Sequence, residues 1–184
     1  MKIYLHRLIT SPFYAYDDAR ECDQIMIDIK ANPSAYAIIK GNQNYPDIEG
    51  RVDFYDTYGG TVAVASIRGL PAEAAENSYG FHGFHIHAGN ACTENAQGEF
   101  SSAVGHYNPK NTVHPAHAGD LPPLLSNSGN AWAAVYTDRF YPEDVVGHTV
   151  IIHERADDFH TQPSGDAGEM IACGEIAAWD PDIR

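Results

Sequence analysis

Basic side chains are scarce in this sequence: 11 lysines and arginines stand against 25 aspartates and glutamates, for a formal net charge of -14. A surface of that sign cannot displace the counterions of a nucleic acid or settle on an anionic lipid face, so neither partner is expected. Long apolar runs are missing too, and no stretch approaches the about 20 residues that a helix needs to cross a bilayer. At the N-terminus Met1-Lys2-Ile3-Tyr4-Leu5 is interrupted by His6 and Arg7 before the apolar centre of a signal peptide could form, so a cytoplasmic location is expected. Cysteine is down to three, an odd number that leaves at least one outside any pairing. Histidine is the exception to this sparseness. There are 10, and eight of them fall between His82 and His153. Such clustering points to metal ligands rather than to scattered surface imidazoles.

With 184 residues, 43% of them apolar, the chain is long enough for one domain with a real core and a short appendage. The division falls at an N-terminal extension, 1–33, and a main domain, 34–184. Within the extension Asp17-Asp18 precede the apolar set Ile25, Met26, Ile27 and Ile29, and Asn32-Pro33 ends it. An acidic start and a proline stop predict a short helix over 17–30, with an extended arm as the other reading. From Ala35 onward short β runs alternate with glycine and proline. Strands are predicted at 35–40, 51–57, 61–68, 80–87, 131–137, 149–154 and 171–178, with a hairpin turn at Tyr58-Gly59-Gly60. An eighth, 120–127, carries Pro122-Pro123 and so requires an edge or a bulge. Two stretches, 88–119 and 155–170, have no strand pattern, and loops of that length in a compact domain are functional or tied down. The expected class is all-β: an antiparallel sandwich or barrel of about eight strands with two long loops.

The histidines fall into three sets. In Phe84-His85-Ile86-His87 two imidazoles stand two apart on a predicted strand, on one face, while Ile86 points to the core. Next, His106, His114, His117 and Asp120 lie on a loop full of turn residues. Three imidazoles and a carboxylate make a closed tetrahedral set of the kind that holds structural zinc, and a bound ion would offset the entropy of ordering that loop. The third set is His153-Glu154-Arg155-Ala156-Asp157 at the end of an apolar strand. His153 reads as a core histidine or a ligand, and Asp157 as a solvated turn acid or a carboxylate that orients a ligand imidazole.

Taken in order, these segments resemble the copper–zinc superoxide dismutase family over about three quarters of the chain, from Tyr36 to Ala178. The resemblance rests on Gly80-Phe81-His82-Gly83-Phe84-His85-Ile86-His87, His106-Tyr107-Asn108-Pro109 and His117-Ala118-Gly119-Asp120-Leu121. It closes with Ile152-His153-Glu154-Arg155-Ala156-Asp157-Asp158 and Ile171-Ala172-Cys173-Gly174. It implies a Greek-key barrel that binds copper and zinc and converts superoxide to dioxygen and hydrogen peroxide. The implied copper ligands are His85, His87, His106 and His153; the implied zinc ligands are His106, His114, His117 and Asp120. His106 would serve both ions and pass a proton during turnover. Asp157 would bond to His85 and His114, and His82 would support the copper strand without ligating. His114 and His117 stand three apart, a shortened zinc loop as in some bacterial members. The resemblance pairs Cys92 with Cys173 in a disulfide and leaves Cys22 as a free thiol. The resemblance leaves the oligomeric state open: a homodimer is one option, and the family offers more than one dimer interface.

One position departs from the family pattern. Where the family has an arginine at the rim of the copper channel, three residues before the second disulfide cysteine, this chain has Met170. Substrate steering is therefore expected to be weak, with Lys110 and Arg155 as the cations that could compensate. Two other functions compete with the enzyme: a non-enzymatic copper-binding or zinc-stabilised β-sandwich module, and a mononuclear zinc hydrolase or lyase using His85, His87 and one more imidazole. The second leaves the remaining histidines without a purpose.

Overall fold

The computed structural model describes residues 32–71 and 79–181. The helix expected over 17–30 and the thiol of Cys22 lie outside them. The strands are β1 (Ala35–Gly41), β2 (Glu49–Thr57), β3 (Gly60–Arg68), β4 (Phe81–His87), β5 (Asp120–Leu125), β6 (Asn130–Thr137), β7 (Thr149–His153) and β8 (Met170–Ala178). All pair antiparallel in one sheet of order β5-β4-β7-β8-β1-β2-β3-β6. The one α-helix among the described residues, α1 (Pro142–Val145), precedes β7 and had no counterpart in the sequence pattern.

Period-2 alternation gives most of the strands one dry face, while β7 is apolar and buried throughout. In β1, Ala35, Ala37 and Ile39 are fully buried while Ile38 is half exposed. β4 departs from alternation and is buried from His82 to His87, because the core covers one face and loops cover the other. Phe84 and Ile86 join Leu121, Leu124, Val150, Ile152 and Ile171 in the main core. His85 and His87 point the other way, as the strand parity requires.

β5 and β6 are the two ends of the sheet and are not hydrogen-bonded to each other, so the barrel is nearly closed and keeps one seam. The prolines explain which strand ends there. Pro122 and Pro123 lie where the register with β4 shifts between His82 and Phe84, so the strand has both an edge and a bulge. The β2–β3 hairpin turns on two residues, with Thr57 facing Gly60 and Gly59 at φ +88°.

Cys92 and Cys173 form a disulfide across 81 positions, tying the loop after β4 to β8. Closing a loop of that length restricts the unfolded chain by about 4 to 5 kcal/mol on the chain-entropy model. Cys92→Ser is expected to cost about 2 to 5 kcal/mol of stability, read from the urea midpoint of the metal-free protein.

Candidate metal centre

Five elements of the fold deliver side chains to one place. β4 contributes His85 and His87, and the end of β7 contributes His153. The 88–119 loop contributes His106, which forms an isolated bridge with His87, together with His114 and His117. Asp120 opens β5, and Asp157 comes from the loop after β7. Two sets of donor atoms result: His85, His87, His106 and His153, and His106, His114, His117 and Asp120, the atoms of each set lying within 4.8 Å of one another. The structure thus brings together the residues that the sequence grouped as expected ligands, and His106 belongs to both groups.

Hydrogen bonds select the nitrogen that each imidazole turns inward. Asp157 Oδ2 accepts from His85 Nε2 at 2.7 Å and Oδ1 from His114 Nε2 at 2.9 Å. Burial pushes the Asp157 carboxyl up, but the bonds from His85, the Phe159 amide and His114 outweigh it and hold the pKa below the usual value. The carboxylate is therefore ionised and both Nε2 atoms are its donors, which leaves Nδ1 of each ring as the lone pair. His87 Nδ1 donates to the Val104 carbonyl at 2.7 Å and His153 Nδ1 to the Gly168 carbonyl at 3.2 Å. Their Nε2 lone pairs then face each other at 3.3 Å.

Two lone pairs at that separation repel unless something positive lies between them. A proton is an unfavourable candidate. Burial drives the pKa of His85 down, that of His87 to about 3 and that of His153 well below its ordinary value. Three further nitrogens, His85 Nδ1, His106 Nε2 and His114 Nδ1, are buried with no hydrogen-bond partner. An orphaned buried acceptor carries a desolvation penalty that a cation removes. The first set thus presents nitrogen only, an arrangement suited to copper, and the second presents three nitrogens and a carboxylate, as tetrahedral zinc requires.

In the second set Asp120 is the common contact. Its Oδ1 lies 2.6 Å from His106 Nδ1, and its Oδ2 lies 3.1 Å from His114 Nδ1 and 3.2 Å from His117 Nδ1. Burial alone would raise the Asp120 pKa, but the His106 bond and charge and the His117 amide bring it to about 2. His82 joins neither set. It is fully buried, bonded through Nδ1 to the His153 carbonyl at 2.9 Å, and so fixes the end of β7 rather than an ion.

Three contributors carried no signal in the sequence. Val104 and Gly168 act only through backbone carbonyls. Gly165, at φ +71°, passes so close to Asp157 that an added Cβ would collide with its carboxylate and sit 2.8 Å from His114 Nε2. Its glycine identity is the one trace a reader of sequence could have weighed. Met170 opens β8 opposite His153, half-buried against Phe100, Ala103, Ile151 and Cys173.

Known proteins are similar to this chain in sequence and in fold. The family model described as copper/zinc superoxide dismutase matches residues 48–176. Copper–zinc superoxide dismutase 3 of Arabidopsis thaliana is 31% identical over 164 residues, covering 80% of this chain and 92% of its own length. The copper–zinc superoxide dismutase of Actinobacillus pleuropneumoniae is 33% identical over 153 residues, 75% of each chain. Among solved structures, the Cu/Zn superoxide dismutase from Brucella abortus superposes with a TM-score of 0.62 at 25% identity, covering 77% of this chain and 98% of that one. Two donor sets that share one imidazole, on an eight-stranded Greek-key barrel matched by these relatives, place this chain in the copper/zinc superoxide dismutase family.

Proposed function

We propose that this chain dismutes superoxide, turning two superoxide ions and two protons into dioxygen and hydrogen peroxide. His85, His87, His106 and His153 hold copper, and His106, His114, His117 and Asp120 hold zinc. Copper supplies a one-electron couple, which zinc lacks. The observation that carries the reading is His106, which both donor sets include: its Nε2 is buried without a hydrogen-bond partner, while its Nδ1 lies 2.6 Å from Asp120.

The roles of the protein groups follow from those contacts. With Nδ1 committed to the Asp120 side, Nε2 is the atom of His106 that takes up a proton and hands it to the reduced substrate. Asp157 keeps His85 and His114 as Nε2–H tautomers and ties the two halves together. Val104 and Gly168, through their carbonyls, hold His87 and His153 as the opposite, Nδ1–H tautomers and so leave their Nε2 atoms as the lone pairs. No helix among the described residues is long and apolar enough to cross a membrane.

The test is reconstitution followed by elemental analysis, copper EPR and a dismutation assay. The expected result is one copper and one zinc per chain, nitrogen-only copper ligation, and turnover. Zinc alone with copper refused would instead indicate a zinc-stabilised module without catalysis. Gly165→Ala should displace the Asp157 carboxylate and weaken zinc about 10- to 100-fold, the usual effect of losing a group that orients a ligand, as read by chelator competition.

A further inference from the structure

The 88–119 loop places His114 and His117 in a short segment with no strand or helix of its own, and two side chains from elsewhere grip that segment by its backbone. Arg139, just beyond β6, directs Nη1 at three carbonyls: Pro115 at 3.0 Å, His117 at 3.0 Å and Asp120 at 3.3 Å. Gln162, in the loop after β7, donates from Nε2 to the His114 carbonyl at 2.7 Å and accepts the His114 amide on Oε1 at 3.1 Å. The backbones of His114, His117 and Asp120 are therefore all held by residues that are not themselves donors to an ion. The Arg139 arm has a fixed base. Its amide donates to Thr137 Oγ1 at 3.2 Å, and the next residue, Phe140, is buried in the core with its carbonyl bonded to Thr61 Oγ1. It also bridges the seam between β5 and β6, where no ladder bonds exist. By binding carbonyls it leaves the Asp120 oxygens to His106 and to the His117 amide.

We propose that Arg139 and Gln162 are positioning residues that hold the zinc set in its liganding arrangement before the ion arrives. The inference rests on the zinc assignment made above. It is specific to one set, because neither residue hydrogen-bonds to His85, His87 or His153. Losing the Arg139 grip should cost the entropy of ordering the loop at the moment of zinc binding and leave the copper set as it was.

The experiment uses the full chain and compares wild type, Arg139→Met, Arg139→Lys and Gln162→Leu. Zinc affinity is measured by chelator competition, the geometry of the second set by the visible absorption of cobalt(II) placed there, and the first set by copper EPR. The expected outcome for Arg139→Met is a 10- to 100-fold loss of zinc affinity, by about the same reasoning as for other ligand-orienting groups. Tetrahedral cobalt absorption should weaken while the copper spectrum stays unchanged. Arg139→Lys, which keeps a donating cation, should recover part of the loss. If Arg139→Met does not fold, Gln162→Leu carries the same comparison from an outer loop. Zinc affinity within twofold of wild type in both neutral variants overturns the inference, as does a parallel loss of zinc and copper. A wild-type protein that holds neither zinc nor cobalt in this set overturns the zinc assignment itself.

Discussion

The His106→Ala protein is expected to lose superoxide dismutation by at least about a hundredfold, the scale of a general acid–base contribution, and to bind both ions more weakly. The reason is geometric. His106 is the one described residue that both donor sets include, so its removal opens a position on each side. No neighbour can replace it. The His85 and His153 rings are fixed by Asp157 and the Gly168 carbonyl, and His117 lies on the Asp120 side, with Nδ1 3.4 Å from His106 Nδ1. His117→Ala is the contrast, because it lies in the second set alone and should reduce zinc first. Asp157→Asn should weaken zinc while copper stays bound: the amide cannot accept from His85 and His114 together, but His85 keeps its place on β4. Metal content and dismutation rate of the three proteins, measured side by side, check the ordering. Equal losses of both metals in all three would show that the donor sets are wrongly divided.

Met170→Arg should raise the second-order rate for superoxide and make it fall more steeply with added salt. Superoxide is an anion, and the chain carries a formal charge of -14. Met170 faces His153 across the β7–β8 ladder, next to exposed Glu169. Of the two cations that could compensate, Arg155 is already paired with Asp166 at 2.9 Å, which cancels much of its field. Lys110 is exposed on the loop that bears the zinc set. A unit cation at about 6 Å from the anion's path is worth roughly 0.7 kcal/mol in water and about 2.8 kcal/mol at an effective dielectric near 20. The expected gain is therefore between about threefold and a hundredfold, within the range of electrostatic steering. The pairing of Arg155 moves the expectation off the bottom of that range. Pulse radiolysis of both proteins across ionic strength decides it. Unchanged rates and slopes would mean that encounter is guided from elsewhere or does not limit turnover.

Much of this molecule is readable without coordinates, because the features concerned are local. Short β runs bounded by glycine and proline locate all eight strands to within two residues at either end. The pair Pro122-Pro123 already requires an edge or a bulge, and β5 shows both. His85 and His87 must share a face if β4 is a strand, whatever surrounds it. The order of the remaining histidines, matched to a family, names the donors. The helix α1 left no trace of this kind, since four residues are too short for a helical period to register.

What the chain order could not decide is which atoms meet. Asp157 reaches His85 across 72 positions and His114 across 43, and only those two contacts turn Nδ1 of each ring inward. Arg139 and Gln162 read in sequence as an ordinary surface cation and a loop amide. They become grips on the zinc set only because β6 ends across an open seam from β5 and the last loop folds back over His114. Gly165 is required because that fold-back leaves no room beside a carboxylate. The difference is physical: alternation and spacing are properties of consecutive residues, so the sequence by itself determined the strands and the ligand types. The nitrogen chosen by each imidazole, the division into two sets and the support behind them depend on sheet register and on where distant loops close, which only the tertiary structure decides.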